Sequence, residues 1–127
     1  MVVRAETIQH VGPLDEGFFM YCEEVDWCYR IKQAGWKIAY TPDAEIVHIG
    51  GASARQTAGP MLVQLHRSRD RFFRKHYGTV FAFTARSIVR LGMSAAKRRA
   101  RHQYELGLID FDILDQQLAL FDEVGEW

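Results

Sequence analysis

No run of 18 apolar residues occurs in this chain of 127, and it does not open on a basic and apolar leader, so neither a spanning helix nor a secretory signal is legible. Cysteine is scarce. Cys22 and Cys28 are the only two, too few for a disulfide framework, and a reduced cytoplasmic setting is the default expectation. Net charge is absent as well: 16 Lys and Arg offset 16 Asp and Glu, so no global field argues for a nucleic-acid partner. No internal repeat is present.

What remains is apolar material and unevenly placed charge. Hydrophobic residues make up 48% of the chain and aromatics 13%, enough for the core of one ordinary domain. From Arg67 to Arg101 there are eleven Lys and Arg against one acid, Asp70, while from Glu105 to Trp127 there are seven acids and no Lys or Arg. These two stretches are expected to attract each other.

Periodicity gives a skeleton. Residues 4–12, RAETIQHVG, read as a short helical turn stopped by Gly12, and GPLDEG supplies turn chemistry up to Gly17. Glu24 to Ala34 is the best-marked helix, with acids in the first turn, Arg30 and Lys32 near the end, and Gly35 as its stop. WKIAY, Trp36 to Tyr40, alternates apolar and polar, and EIVHI reads as another short strand reaching His48. Met61 to Tyr77 reads as a basic helix closed by Gly78. Thr79 to Arg101 mixes Val80, Phe81, Phe83, Ile88, Val89 and Leu91 with Arg86 and Arg90 and ends in KRRAR. It is either an ordinary packing helix or an amphipathic one lying on an anionic membrane surface. LIDFDILDQQLALFDEV reads as an acidic amphipathic helix able to cap the basic one.

The paired carboxylates Glu23 and Glu24 stand directly behind Phe18, Phe19, Met20 and Tyr21, where a helix begins. Alone they admit two readings: helix-start charge, or the working end of an active site. His48 likewise is either a hydrogen-bonded strand-end residue or a ligand, and Trp36 either packs in a strand or touches a substrate. Zinc held by Cys22, Cys28 and His48 lacks a fourth ligand and the usual spacing.

The ordered series VGPLDEGFFMYCEEVDWCYRIKQAGWKIAYTPDAEIVHIGGAS, Val11 to Ser53, resembles inverting family-2 glycosyltransferases of the rhamnosyltransferase type, and LHRSRDRFFRKHYG resembles the next segment of those enzymes. The resemblance implies the acceptor-side C-terminal half of a GT-A fold: an α+β architecture with a small mixed sheet near the front and several helices behind it. It divides the chain into an acceptor-side part, residues 1–60, and a helical C-terminal extension, residues 61–127.

In that family a nucleotide-binding half with an Asp-x-Asp motif holds a divalent cation, manganese or magnesium, on the sugar-nucleotide diphosphate. Nothing in this chain resembles that half, so the expectation is an acceptor-side piece that is inactive alone and needs the metal only with the donor half supplied. Glu24 matches the catalytic base, an Asp in the family, and its extra methylene displaces the carboxylate. A displacement of about 1 Å can cost about a hundredfold in rate. Glu23 and Trp36 match acceptor-contact positions, Asp26 matches a helix-positioning or acceptor-contact position, and His48 matches a residue near the metal. The implied substrates are a sugar nucleotide and a glycan or lipid-linked acceptor of cell-surface polysaccharide synthesis, at the inner face of the membrane. Uncovered sheet edges would lead to a homo-oligomer. The alternative is a non-catalytic module of the same origin that uses its basic helices to bind a membrane or a protein.

Overall fold

Five helices and the segments joining them make up the structure, a computed structural model that describes residues 1–43, 45–47 and 58–126. The helices are α1 (Ala5–Val11), α2 (Glu23–Gln33), α3 (Ala58–His76), α4 (Gly78–Glu105) and α5 (Phe111–Glu126). Their boundaries follow local chemistry. At the end of α2, Gly35 takes φ +84°, its N–H donates to Lys32 O at 3.1 Å and the Trp36 N–H donates to Ile31 O at 3.2 Å. This is a Schellman closure, which satisfies carbonyls that the helix itself leaves open. The same pair of bonds around Gly107 ends α4, so the basic helix continues past Arg101 to Glu105.

The expected α+β architecture is overturned. Among the described residues there is no strand and no sheet. Trp36 to Tyr40 alternates in sequence but has no ladder partner among the described residues, and Ile38, Tyr40, Ile46 and Val47 are all largely exposed. Alternation only proposes a strand. A second strand must satisfy its N–H and C=O groups, and none of the described segments supplies one. The sheet edges from which a homo-oligomer was expected are therefore missing among these residues.

Two packing units meet along α3. α4 packs mainly on α5 and also on α3, burying Val63, Ala82, Ala100, Leu114 and Val124. The attraction expected between basic and acidic stretches is realised there: Lys97 pairs with Asp122, Arg67 lies 3.7 Å from Glu123, and Arg90 Nε donates to Gly125 O. α1 packs on α2, where Arg30 donates to Val11 O and Pro13 O and Trp27 Nε1 donates to Gly12 O, covering the carbonyls at the end of α1. The other side of α2 rests on α3.

Candidate functional site

α2 starts from a strained turn. Tyr21 and Cys22 both have φ of +67°, a left-handed conformation that costs a residue with a side chain about 1–2 kcal/mol. Two such residues in succession need outside support. α3 provides it: Gln64 Nε2 donates to Ser68 Oγ at 3.0 Å, and the buried Ser68 Oγ donates to Met20 O at 2.6 Å. Cys22 is the N-cap residue and makes no side-chain cap bond, so the first turn of α2 is finished only by its acids, Glu23, Glu24 and Asp26.

The three acids face different surroundings. A helix turns about 100° per residue, which places Asp26 roughly opposite Glu24 and roughly 60° from Glu23. Asp26 is fully buried and accepts from Arg30 Nε at 2.8 Å, Lys75 Nζ at 2.8 Å and His76 Nε2 at 2.7 Å. Burial pushes its pKa up, but the hydrogen bonds from Lys75, His76 and Arg30 outweigh burial and leave it below the ordinary carboxylate value. An ionised carboxylate only accepts, so the Nε2 of His76 carries the proton between them. Glu24 is exposed. Glu23 is half-buried, and its buried Oε2 has no hydrogen-bond partner among the described residues.

Asp15 extends the network. Its carboxylate accepts from Lys75 Nζ at 2.7 Å, from the Gly17 N–H at 2.8 Å and from Arg71 at 3.3 Å, and these, led by Lys75, hold it far below the usual range. Lys75 thereby joins the loop before α2, α2 itself and the end of α3. Arg71 lies so close to Gly17 that a β-carbon there would meet its guanidinium, and it covers the buried ring of Phe18 at 5.2 Å. Phe19, the next residue, is exposed. Burial, followed by the nearby Glu24 carboxylate, raises the Cys22 thiol above its ordinary value, which makes it a poor nucleophile.

Of the residues singled out in the sequence, Glu23, Glu24 and Asp26 share the tip of α2. Trp36 is not with them. It follows the other end of α2, which is about 16 Å long at 1.5 Å per residue. There Trp36 Nε1 donates to His10 Nδ1 at 3.1 Å, and the ring lines a separate cavity of about 440 Å³ with Thr7, Cys28 and Ile31. His48 lies outside the described residues. No group of three His, Cys, Asp or Glu side chains that could hold a metal ion occurs among the described residues. Asp110-Phe111-Asp112 does spell Asp-x-Asp, but Asp110 Oδ1 accepts from the Ile113 N–H at 2.8 Å as the cap of α5.

Asp15, Ser68, Lys75 and His76 carry the site's support and do not stand out as site residues in the sequence. The signal that could have found them is the spacing of Ser68, Phe72 and His76, which lie four apart on one stripe of α3 and face α2.

The chain is similar to glycosyltransferases over part of its length. An N-acetylglucosaminyl-diphospho-decaprenol L-rhamnosyltransferase of Mycobacterium tuberculosis is 37% identical over 68 residues, 54% of this chain and 22% of that protein. The rhamnosyltransferase WbbL of Escherichia coli K12 is 32% identical over 89 residues, 68% of this chain and 28% of that protein. A low-salt glycan biosynthesis hexosyltransferase of Haloferax volcanii is 31% identical over 48 residues, 38% of this chain and 16% of that protein. The chain thus spans less than a third of the length of these relatives. No protein-family profile and no solved structure matches it.

Proposed function

We propose that the tip of α2 is the acceptor-side part of an inverting family-2 sugar transferase acting on a glycan or lipid-linked acceptor, with Glu24 as general base. In that reaction the base takes the proton of an acceptor hydroxyl while the hydroxyl oxygen bonds to the anomeric carbon and the bond to the nucleoside diphosphate breaks. Sugar-nucleotide binding belongs, on this reading, to a region outside these 127 residues, in keeping with the small share of each relative that the chain spans.

One observation carries the proposal: Glu23 Oε2 is buried with no partner among the described residues, one residue from an exposed carboxylate on a strained, braced turn. A buried acceptor atom left unmatched costs about 1–3 kcal/mol, and such groups are uncommon unless something else meets them. Glu23 as a whole is half-buried, and on this reading a rotation of its side chain brings the unmatched oxygen to the surface, where an acceptor hydroxyl donates to it and a second hydroxyl lies beside Glu24. Asp26 is then a positioning residue, buried too deeply to touch a sugar itself. The mycobacterial relative, named for transfer to a lipid diphosphate saccharide, supports the choice of acceptor.

The test is an NMR titration of the full chain with a short-lipid N-acetylglucosaminyl diphosphate. Shifts of the Cys22, Glu23 and Glu24 amides, weakened by Glu23→Gln, are expected. Binding that leaves these amides still, or no binding, contradicts the proposal.

A further inference from the structure

The cations of α4 divide into two sets. Those toward the protein are matched: Arg86 Nη2 meets Asp70 Oδ2 at 2.7 Å, Lys97 pairs with Asp122, and Arg90 donates to Gly125 O. Arg98, Arg99 and Arg101 are exposed and have no ion pair or hydrogen bond among the described residues. Glu105 is the one acid in the whole helix.

The same outward side is apolar in its first half. Val80, Phe83, Ile88 and Leu91 are 78%, 66%, 70% and 71% exposed. At about 100° per residue, Val80, Leu91 and Arg98 fall within about 20° of one line, with Phe83 and Arg101 about 60° to one side and Ile88 and Arg99 about 80–100° to the other. The opposite side holds the buried Ala82 and Ala100, which fix that face against the protein. No helix among the described residues is long and apolar enough to cross a membrane, so this face is not part of a span.

We propose that the outward face of α4 docks on an anionic lipid bilayer, its apolar half entering the boundary of the headgroups and its Arg98, Arg99 and Arg101 meeting lipid phosphates. Aliphatic and aromatic side chains beside unmatched cations are what such an interface selects, and the charge complementarity names the sign of the lipid. A second copy of the chain fits the face less well. A parallel pairing would set two arginine clusters side by side, and an antiparallel one would lay each cluster on the partner's apolar half. The proposal stands apart from sugar transfer, since it uses no residue of the α2 tip.

The experiment is flotation of the full chain with vesicles of phosphatidylcholine alone and of phosphatidylcholine mixed with phosphatidylglycerol, at low and raised salt. Flotation with the anionic vesicles only, weakened by salt, is expected. The triple variant Arg98→Gln, Arg99→Gln, Arg101→Gln should partition about a hundredfold more weakly, because each surface cation contributes roughly 1 kcal/mol. Phe83→Ser with Leu91→Ser should also reduce flotation while the helical circular dichroism is retained. Absence of flotation with anionic vesicles, or flotation unchanged in both variants, overturns the proposal. A dimer in sedimentation that the Phe83→Ser and Leu91→Ser pair dissociates would assign the face to self-association and overturn it too.

Discussion

Asp26 Oδ1 lies 2.7 Å from His76 Nε2, fifty residues further along the chain, inside a contact that leaves the carboxylate no exposure to solvent. Arg30 on the same carboxylate reaches the carbonyls at the end of α1, and Lys75 reaches Asp15. One buried charge therefore fixes α1, α2, the loop between them and the end of α3. The geometry of the Glu23 and Glu24 tip depends on it.

Removing a partner from a buried ion pair costs about 3–5 kcal/mol, so Asp26→Ala should lower the unfolding free energy by that amount, measured in urea. Glu24→Ala, at an exposed position, should change it by no more than about 0.5 kcal/mol. Equal effects would mean that Asp26 is not the anchor.

Acid should act in two stages. Asp15 and Asp26 are held below the ordinary value of 3.8 in the folded chain, so the unfolded chain binds more protons there. Their contribution is complete above pH 3.8 and is lost as the pH falls through the lower folded values. His66 is buried, which lowers its pKa from 6.5, with Arg69 adding to the effect. A base whose folded pKa is depressed favours the native state while neutral, so its contribution is present above pH 6.5 and declines below it. Urea midpoints measured against pH should fall gently below 6.5 and steeply below 3.8, and His66→Gln should remove only the first decline. A single decline, or one that His66→Gln leaves untouched, contradicts this.

The turn before α2 makes a prediction of unusual sign. Glycine in an ordinary conformation costs about 0.5–1 kcal/mol, yet Cys22→Gly relieves a left-handed strain of about 1–2 kcal/mol and should leave thermal stability equal or higher. Cys22→Val should lower the melting temperature instead, since a β-branched side chain tolerates positive φ poorly. A melting temperature that falls equally in both variants would show that the turn stores no strain.

Between α4 and α5 the apolar contacts should outweigh the ion pairs. Leu114→Ala is expected to cost about 2–5 kcal/mol and Lys97→Met less than about 1 kcal/mol, read from denaturant unfolding. The reverse order would make charge, rather than burial, the glue of this pair.

The helices were legible because their signals are local. Apolar spacing, first-turn acids and the stops at Gly12, Gly35 and Gly78 all act within a few residues, and the segregated charges foretold the docking of α5 on α4. A strand at Trp36 to Tyr40 is not legible in this way, because alternation is a local pattern for a structure that needs a distant partner. The site was half legible. Glu23 and Glu24 stand out at a helix start, and the spacing to Asp26 already turns it to the far side of the helix. That Asp26 meets Lys75 and His76 depends on how α2 crosses α3, which no periodicity encodes.

The role of Glu24 as base is tested most directly by replacing the matched segment of the mycobacterial rhamnosyltransferase with the corresponding residues of this chain and measuring rhamnosyl transfer. An active hybrid is expected, whose turnover falls about a hundredfold or more with Glu24→Gln, the range a general base supplies, and recovers with Glu24→Asp. Turnover unaffected by Glu24→Gln in an active hybrid would contradict it.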